Sequence, residues 1–192
     1  MDMREFFNEK AETWDQEIPA FLPARGAIAV LGGVKTGSTV LDIACGTGIM
    51  IPEYLALGAR YVTGIDLAER MIAVAKEKFA RDKRVELVAE DFFSYTGGPF
   101  SVAVMYNAYP HFAQKSALLE AVARLLVPGG RFTVAHGAGR QAINAHHHSA
   151  AAQVSVGLGP ATEEAALWEP WFQVDTLVDT TDLYVIAGTK RE

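Results

Sequence analysis

Hydrophobic residues follow two spacings along the chain, and these spacings predict the order of strands and helices. Short apolar, β-branched runs predict five buried strands at 39–44, 60–65, 85–89, 102–106 and 131–136. Helical spacing predicts helices at 49–57, 68–80, 116–126 and about 140–152. Strands that alternate with helices are typical of a parallel sheet covered on both faces. The pattern therefore predicts an α/β fold with a doubly wound sheet.

The two ends of the chain follow a different pattern from this alternating core. Runs at 172–178 and 183–189, on either side of a short polar turn, predict a closing hairpin. Residues 1–34 predict two helices broken at Pro19 and Pro23. The sequence contains no repeat, low-complexity tract or linker. We expect one domain over 1–192, with an N-terminal helical segment at 1–34 and a core at 38–192.

Composition limits the classes of partner. The chain has 192 residues, 50% of them hydrophobic, and a net charge of −6 without a basic stripe. DNA is not an expected partner, because phosphate contacts need clustered cations. No apolar run approaches the ~20 residues of a membrane helix, and Cys45 is a lone cysteine. We expect a cytoplasmic protein without a membrane partner.

Residues 40–48 carry the strongest chemical signal. A strand ends near Asp42 and turns through Gly46 and Gly48 into a helix. Such a turn lets a ligand approach the backbone, and the helix N-terminus presents amides to it. The next predicted strand ends in Asp66, where dinucleotide folds hold ribose hydroxyls. A nucleoside-containing cofactor is predicted.

The choice of nucleoside depends on two positions. The nicotinamide fingerprint has a third glycine where this chain has Ile51. A carboxylate at Asp42, ahead of the glycines, suits a cationic ligand better than a pyrophosphate. A nicotinamide oxidoreductase is therefore disfavoured.

Four segments resemble those of the class I S-adenosylmethionine-dependent methyltransferases of compact, small-molecule type. Residues 42–48 resemble motif I, 64–71 the ribose-binding strand tip, 90–92 the adenine-side motif and 126–131 the turn before strand five. The resemblance implies a seven-stranded, mostly parallel sheet with an antiparallel last strand. It also implies S-adenosylmethionine as cofactor and S-adenosylhomocysteine as product. The cofactor-binding residues implied are Asp42, Ala44, Gly46, Thr47, Gly48, Asp66, Leu67, Met71, Glu90, Asp91, Phe92 and Asn107.

The resemblance also implies individual roles. Asp42 organises the methionine end of the cofactor, Asp66 the ribose and Asp91 the adenine amino group. The N-terminal segment, with Phe7 and Trp14, has alternative roles as a lid over the cofactor, a simple packing element or the face of a homodimer.

The acceptor is expected near the segment after the fourth strand, at the switch point of the sheet. Tyr109 and His111 lie in this segment, and His136 ends the fifth strand. These three are the candidate catalytic residues, with a histidine as general base for a phenol or thiol. The alternative is that they are polar walls of the pocket.

The run at His146, His147 and His148 is not expected to bind a metal. Consecutive side chains on a helix point about 100° apart and cannot share one tetrahedral ion. We therefore predict a metal-free methyltransferase that acts on a small molecule. The alternatives are a catalytically silent cofactor-binding subunit, or an enzyme that methylates protein or tRNA with the help of a partner.

Overall fold

A seven-stranded sheet in the order β3-β2-β1-β4-β5-β7-β6 forms the centre of the computed structural model. The structure describes residues 2–17, 24–149 and 156–192, with the backbone alone at 17 and 146–149. Strand β7 is antiparallel to β5 and β6, and the other pairs are parallel, which confirms the predicted sheet. The strands are β1 (Thr39–Ile43), β2 (Tyr61–Asp66), β3 (Val85–Ala89), β4 (Phe100–Tyr106), β5 (Leu126–His136), β6 (Phe172–Asp179) and β7 (Tyr184–Lys190).

Helices cover both faces of the sheet. Along β4, Val102 and Val104 pack with the helices of one face, and Ala103 and Met105 with those of the other. The doubly wound arrangement is thus confirmed, since both faces of a central strand are buried. The helices are α1 (Met3–Lys10), α2 (Trp14–Glu17), α3 (Ala24–Leu31), α4 (Ile51–Ala56), α5 (Glu69–Phe79), α6 (Lys115–Leu125), α7 (Arg140–Ser149) and α8 (Ala161–Ala166).

Three elements differ from the prediction. Strand β5 begins at Leu126, because the proline and glycines predicted as a turn form an irregularity inside its pairing with β4. The described N-terminal segment holds three helices instead of two, since a turn separates α1 from α2; Pro19 and Pro23 lie outside the described residues. Helix α8 was not predicted, because its six residues, ATEEAA, contain no large apolar side chain.

The N-terminal helices pack on α5. Ala11, Ala68 and Met71 form a small core of their own, with Phe7 and Trp14 against it. This packing brings α1 and α2 to the carboxyl edge of the sheet. Within the described ranges, none of the helices is long and apolar enough to span a bilayer.

Candidate cofactor and acceptor site

A cavity of about 370 Å³ opens at the carboxyl edge of β1, β2 and β4. The sheet order places β1 between the other two strands, so that their ends meet at the switch point where open α/β sheets bind ligands. The predicted cofactor residues that line the cavity are Ala44, Gly46, Asp66, Leu67, Met71, Glu90, Asp91, Phe92 and Asn107.

The turn after β1 has an unusual backbone. Ala44, Gly46 and Gly48 have φ angles of 55°, 55° and 79°, in the left-handed region. At Gly48 a Cβ atom would lie 2.8 Å from the ring of Phe79, so glycine is required by space as well as by conformation. The other positive-φ residue that is not glycine in the described chain is Asn107 (φ 56°), which also lines the cavity. Such strained positions concentrate at functional sites.

Asp66 ties the tip of β2 to this turn. Its two carboxylate oxygens accept hydrogen bonds from the amides of Gly46 and Ala68, each at 2.8 Å. Burial raises the pKa of Asp66, and these backbone bonds oppose the rise. Each oxygen keeps a further lone pair, so the carboxylate can accept from a ligand without releasing the turn.

Asp42 lies beneath the turn instead of in the cavity wall. Its Oδ1 accepts a hydrogen bond from the Tyr54 hydroxyl at 3.4 Å, while its Oδ2 has no hydrogen-bond partner among the described residues. Burial raises the pKa of Asp42 to about 8. A buried polar atom without a partner is uncommon in folded proteins, and a ligand or a bound water at the turn would satisfy it.

Of the three residues predicted to be catalytic, His111 lines the cavity and Tyr109 and His136 do not. The His111 ring meets the ring of Phe7 edge to face, with centroids 5.2 Å apart. Tyr109 is fully buried, and its hydroxyl donates to Glu164 of α8 at 3.2 Å. The expectation that Tyr109 forms a wall of this pocket is therefore corrected, because α8 covers it.

His136 also points elsewhere than expected. It is 2% exposed and packs edge to face with Tyr184, with ring centroids 6.0 Å apart. Side chains alternate along a strand, so His136 shares the face of β5 that carries Phe132 and Val134. That face is buried, so His136 does not reach the rim of the cavity.

Two further predicted positions fall outside the cavity wall. Gly48 shapes the turn without lining the cavity, and the Thr47 hydroxyl donates to Asp15 at 2.5 Å. Within the described ranges, no group of three or more metal-ligating side chains comes together. His146, His147 and His148 lie in α7, but their side chains are outside the described part of the chain.

The N-terminal helices form one wall of the cavity. Asp15 pairs with Lys78 of α5 at 2.8 Å, and Glu12 pairs with Arg70 at 2.7 Å. Several cavity residues were not predicted, because the sequence shows neither how α1 is placed nor which side chains turn inward. They include Met3, Arg4, Phe93 and Gln114.

Residues 40–130 match the family model described as a methyltransferase domain. They form a methyltransferase domain. This match and the sheet order confirm the resemblance to the class I methyltransferases that was predicted from the four segments.

The methyltransferase domain has relatives of known sequence and structure. Over 99 residues the chain is 35% identical to the ubiquinone biosynthesis O-methyltransferase of Aromatoleum aromaticum. That alignment covers 50% of this chain and 42% of the relative, so the chain matches less than half of the relative's length.

Solved structures share the fold at lower identity. The N-methyltransferase NodS from Bradyrhizobium japonicum, in complex with S-adenosyl-L-homocysteine, has a TM-score of 0.76 at 14% identity, over 98% of both chains. A methyltransferase from Haloferax volcanii, in complex with the Trm112 activator, has a TM-score of 0.77 at 16% identity, over 97% of this chain and 98% of that one. At these identities the likeness concerns the fold.

Proposed function

We propose that the chain is an S-adenosylmethionine-dependent methyltransferase that transfers a methyl group to a small molecule. The observation that carries this proposal is the single cavity that joins the turn after β1, Asp66 and the segment after β4. A donor held at the first two elements therefore faces an acceptor held at the third.

The residues present fit this cofactor. The left-handed turn at Gly46 leaves the backbone open to a close approach, and Asp66 offers acceptor lone pairs at the cavity wall. The unpartnered Oδ2 of Asp42 leaves a hydrogen-bonding position open beneath the turn, and a cationic ligand bound nearby would favour the ionised form of this carboxyl group. S-adenosylmethionine supplies an activated methyl group when bound, and S-adenosylhomocysteine is the product.

Each predicted cofactor residue has a role in this proposal. Asp66 accepts from the ribose hydroxyls, and Asp91 accepts from the adenine amino group. Asp42 orients the methionine end through the turn or a bound water. The remaining residues shape or line the pocket: Ala44, Gly46, Thr47, Gly48, Leu67, Met71, Glu90, Phe92 and Asn107.

His111 is the candidate general base. Its imidazole borders the cavity, where it can take a proton from the hydroxyl or thiol of an acceptor. Tyr109 and His136 lie outside the cavity wall, and their catalytic roles stay predictions.

Residues 1–34 act as a lid in this proposal, since Phe7 and Trp14 border the cavity and exclude water from it. A small-molecule acceptor and a cytoplasmic location agree with the net charge of −6 and the lone Cys45. A homodimer through the N-terminal helices stays a prediction.

The test uses purified protein, S-adenosylmethionine labelled in its methyl group, and a cell extract fractionated by size. We expect label in the small-molecule fraction, and its loss in the Asp66→Ala variant. Label in protein or RNA would contradict the substrate class, and cofactor binding without any transfer would favour the silent subunit.

A further inference from the structure

The segment after β4 has one side that lines the cavity and one side that is buried in the protein. Asn107, Ala108, His111 and Phe112 line the cavity, while Tyr109 is buried on the opposite side. A 3₁₀ helix over Tyr109–His111 joins the two sides, so the placement of Tyr109 sets the direction of His111. Whatever anchors Tyr109 therefore positions the cavity side.

Lys115, the first residue of α6, makes the closest contacts with this anchor. Its Nζ donates to the backbone carbonyl of Tyr109 and lies 3.4 Å from the centroid of the Tyr109 ring. An ammonium group over an aromatic face is attracted by the ring quadrupole, more strongly where water is excluded. One side chain thus holds both the backbone and the ring of Tyr109.

Helix α8 and the segment before it complete the anchor. The Tyr109 hydroxyl donates to Oε2 of Glu164, whose Oε1 accepts from the amide of Gly159 at 3.1 Å. The amide of Val156 donates to the carbonyl of Pro110 at 2.8 Å. Contacts from two directions fix the turn.

Lys115 gives up hydration to occupy this site. Burial lowers its pKa to about 8, and the charge of Glu164 opposes that change. Burying a cation is costly unless it is paired and hydrogen-bonded. The contacts that offset this cost are made with the turn and not with the cavity, since Lys115 does not line the cavity.

We propose that Lys115 is a positioning residue that holds the Tyr109–His111 turn and thereby keeps the His111 imidazole in the cavity against Phe7. Its consequence for turnover rests on the proposed function. The placement of His111 does not, and it can be measured in protein without any ligand.

The first test follows His111 by NMR in Lys115→Met, with Lys83→Met as the control on an exposed lysine. A His111→Gln variant assigns the imidazole signal. In Lys115→Met we expect this signal to shift by more than its line width and its cross-peak to the Phe7 ring to be lost. Lys83→Met leaves both unchanged. An unchanged signal and cross-peak in Lys115→Met would overturn the proposal.

The second test separates positioning from general damage. We expect the Kd of S-adenosylhomocysteine to stay within twofold in Lys115→Met, while methyl transfer to the small-molecule fraction falls at least tenfold. A parallel loss of cofactor affinity would overturn the positioning role. If the wild-type protein transfers no label, the proposed function fails, and the NMR measurement still decides the role of Lys115.

Two further variants serve where Lys115→Met does not fold. Tyr109→Phe removes the hydroxyl contact with Glu164, and Lys115→Arg keeps the cation. We expect the His111 signal to shift by more than its line width in Tyr109→Phe and the Phe7 cross-peak to be retained in Lys115→Arg. The opposite result in either variant would overturn the proposal.

Discussion

The two sides of the carboxyl edge are held together in different ways. On the β1–β2 side, one carboxylate, Asp66, fixes the turn through backbone amides of residues within 20 positions of it. On the β4–β5 side, Tyr109 reaches Glu164 across 55 positions, and Lys115 joins them from a third element. The first side depends on strand–turn–helix geometry, and the second on where separate helices pack.

The two sides also differ in how they bury an ionisable group. Asp42 lies beneath the turn with one oxygen unpartnered among the described residues, whereas Lys115 has its contacts within the turn that it holds. An unpartnered buried group lowers stability and leaves binding capacity, while a partnered one mainly fixes geometry. This contrast predicts cofactor binding on the first side and positioning on the second.

The largest expected effect is on cofactor binding by Asp66→Ala. We expect the Kd of S-adenosylhomocysteine to rise about 100-fold or more. Charge-assisted hydrogen bonds contribute about 1.5–3 kcal/mol each, and every 1.4 kcal/mol is tenfold in affinity. Titration calorimetry on folded protein measures this change. Tyr109→Phe, on the other side, is the control and leaves the Kd within twofold; equal losses in both variants would remove the contrast.

Gly48→Ala tests whether the first side depends on its backbone. We expect the free energy of unfolding to fall by about 2–5 kcal/mol, because a left-handed alanine costs about 1–2 kcal/mol and overpacking about 1–3 kcal/mol. Urea unfolding measures it. The control is Gly129→Ala, near the amino end of β5: φ is 69° there, but no heavy atom of the described chain beyond Gly129 and its two chain neighbours lies within 4 Å of the added Cβ. In Gly129→Ala only the conformational cost then remains. Equal losses of unfolding free energy in Gly48→Ala and Gly129→Ala would contradict the packing argument.

Asp42→Asn tests the raised pKa of this buried carboxyl group through the pH dependence of stability. The folded state holds the Asp42 proton up to about pH 8, and the unfolded state releases it near 3.8. The unfolded state therefore binds fewer protons between these values, so the contribution of Asp42 to stability falls as pH rises and levels off above about 8. Over this window we expect Asp42→Asn to lose less stability than the wild type, by at most about 1.4 kcal/mol per pH unit. Thermal unfolding from pH 4 to 9 measures the difference.

For Lys115, on the other side of the carboxyl edge, we expect the pH dependence of stability to have the opposite sign. Lys115 loses its proton near pH 8 in the folded state and near 10.5 when unfolded. Its contribution to stability therefore rises with pH between these values.

Asp82→Asn is a control for Asp42, because its partner Arg84 lowers the pKa of Asp82 to about 2, below the window used for Asp42. A wild-type stability curve parallel to that of Asp42→Asn would contradict the raised pKa of Asp42.

The smallest effect on stability is expected for Asp15→Asn, which removes the ion pair between the N-terminal helices and Lys78 and weakens the hydrogen bond from Thr47 by removing the carboxylate charge. The pair with Lys78 is partly exposed, so we expect less than about 1 kcal/mol in unfolding. We expect S-adenosylhomocysteine to dissociate severalfold faster, because the wall that carries Trp14 is released. Stopped-flow displacement measures this rate, with Asp82→Asn as the matched control. An unchanged rate in Asp15→Asn would contradict the lid.

The helices and strands of the core follow from the spacing of apolar residues. The predicted strand at 85–89 has the observed bounds, and the other predicted core strands differ mainly at their ends. Helix α8 was missed because it has no large apolar residue, although it decides what covers Tyr109. Period-two alternation could have placed His136 on the face of Phe132, but it does not tell which helices cover that face.

The sequence by itself determined the methyltransferase domain, the sheet and the β1–β2 side of the cavity. It could do so because Asp66, Gly46 and Ala44 lie at the ends of adjacent strands, where local geometry fixes their relative positions. The tertiary structure alone decided which candidate catalytic residue faces the cavity and which side chains anchor it. Those choices depend on how α1, α6 and α8 pack, and packing joins residues whose separation along the chain carries no local signal.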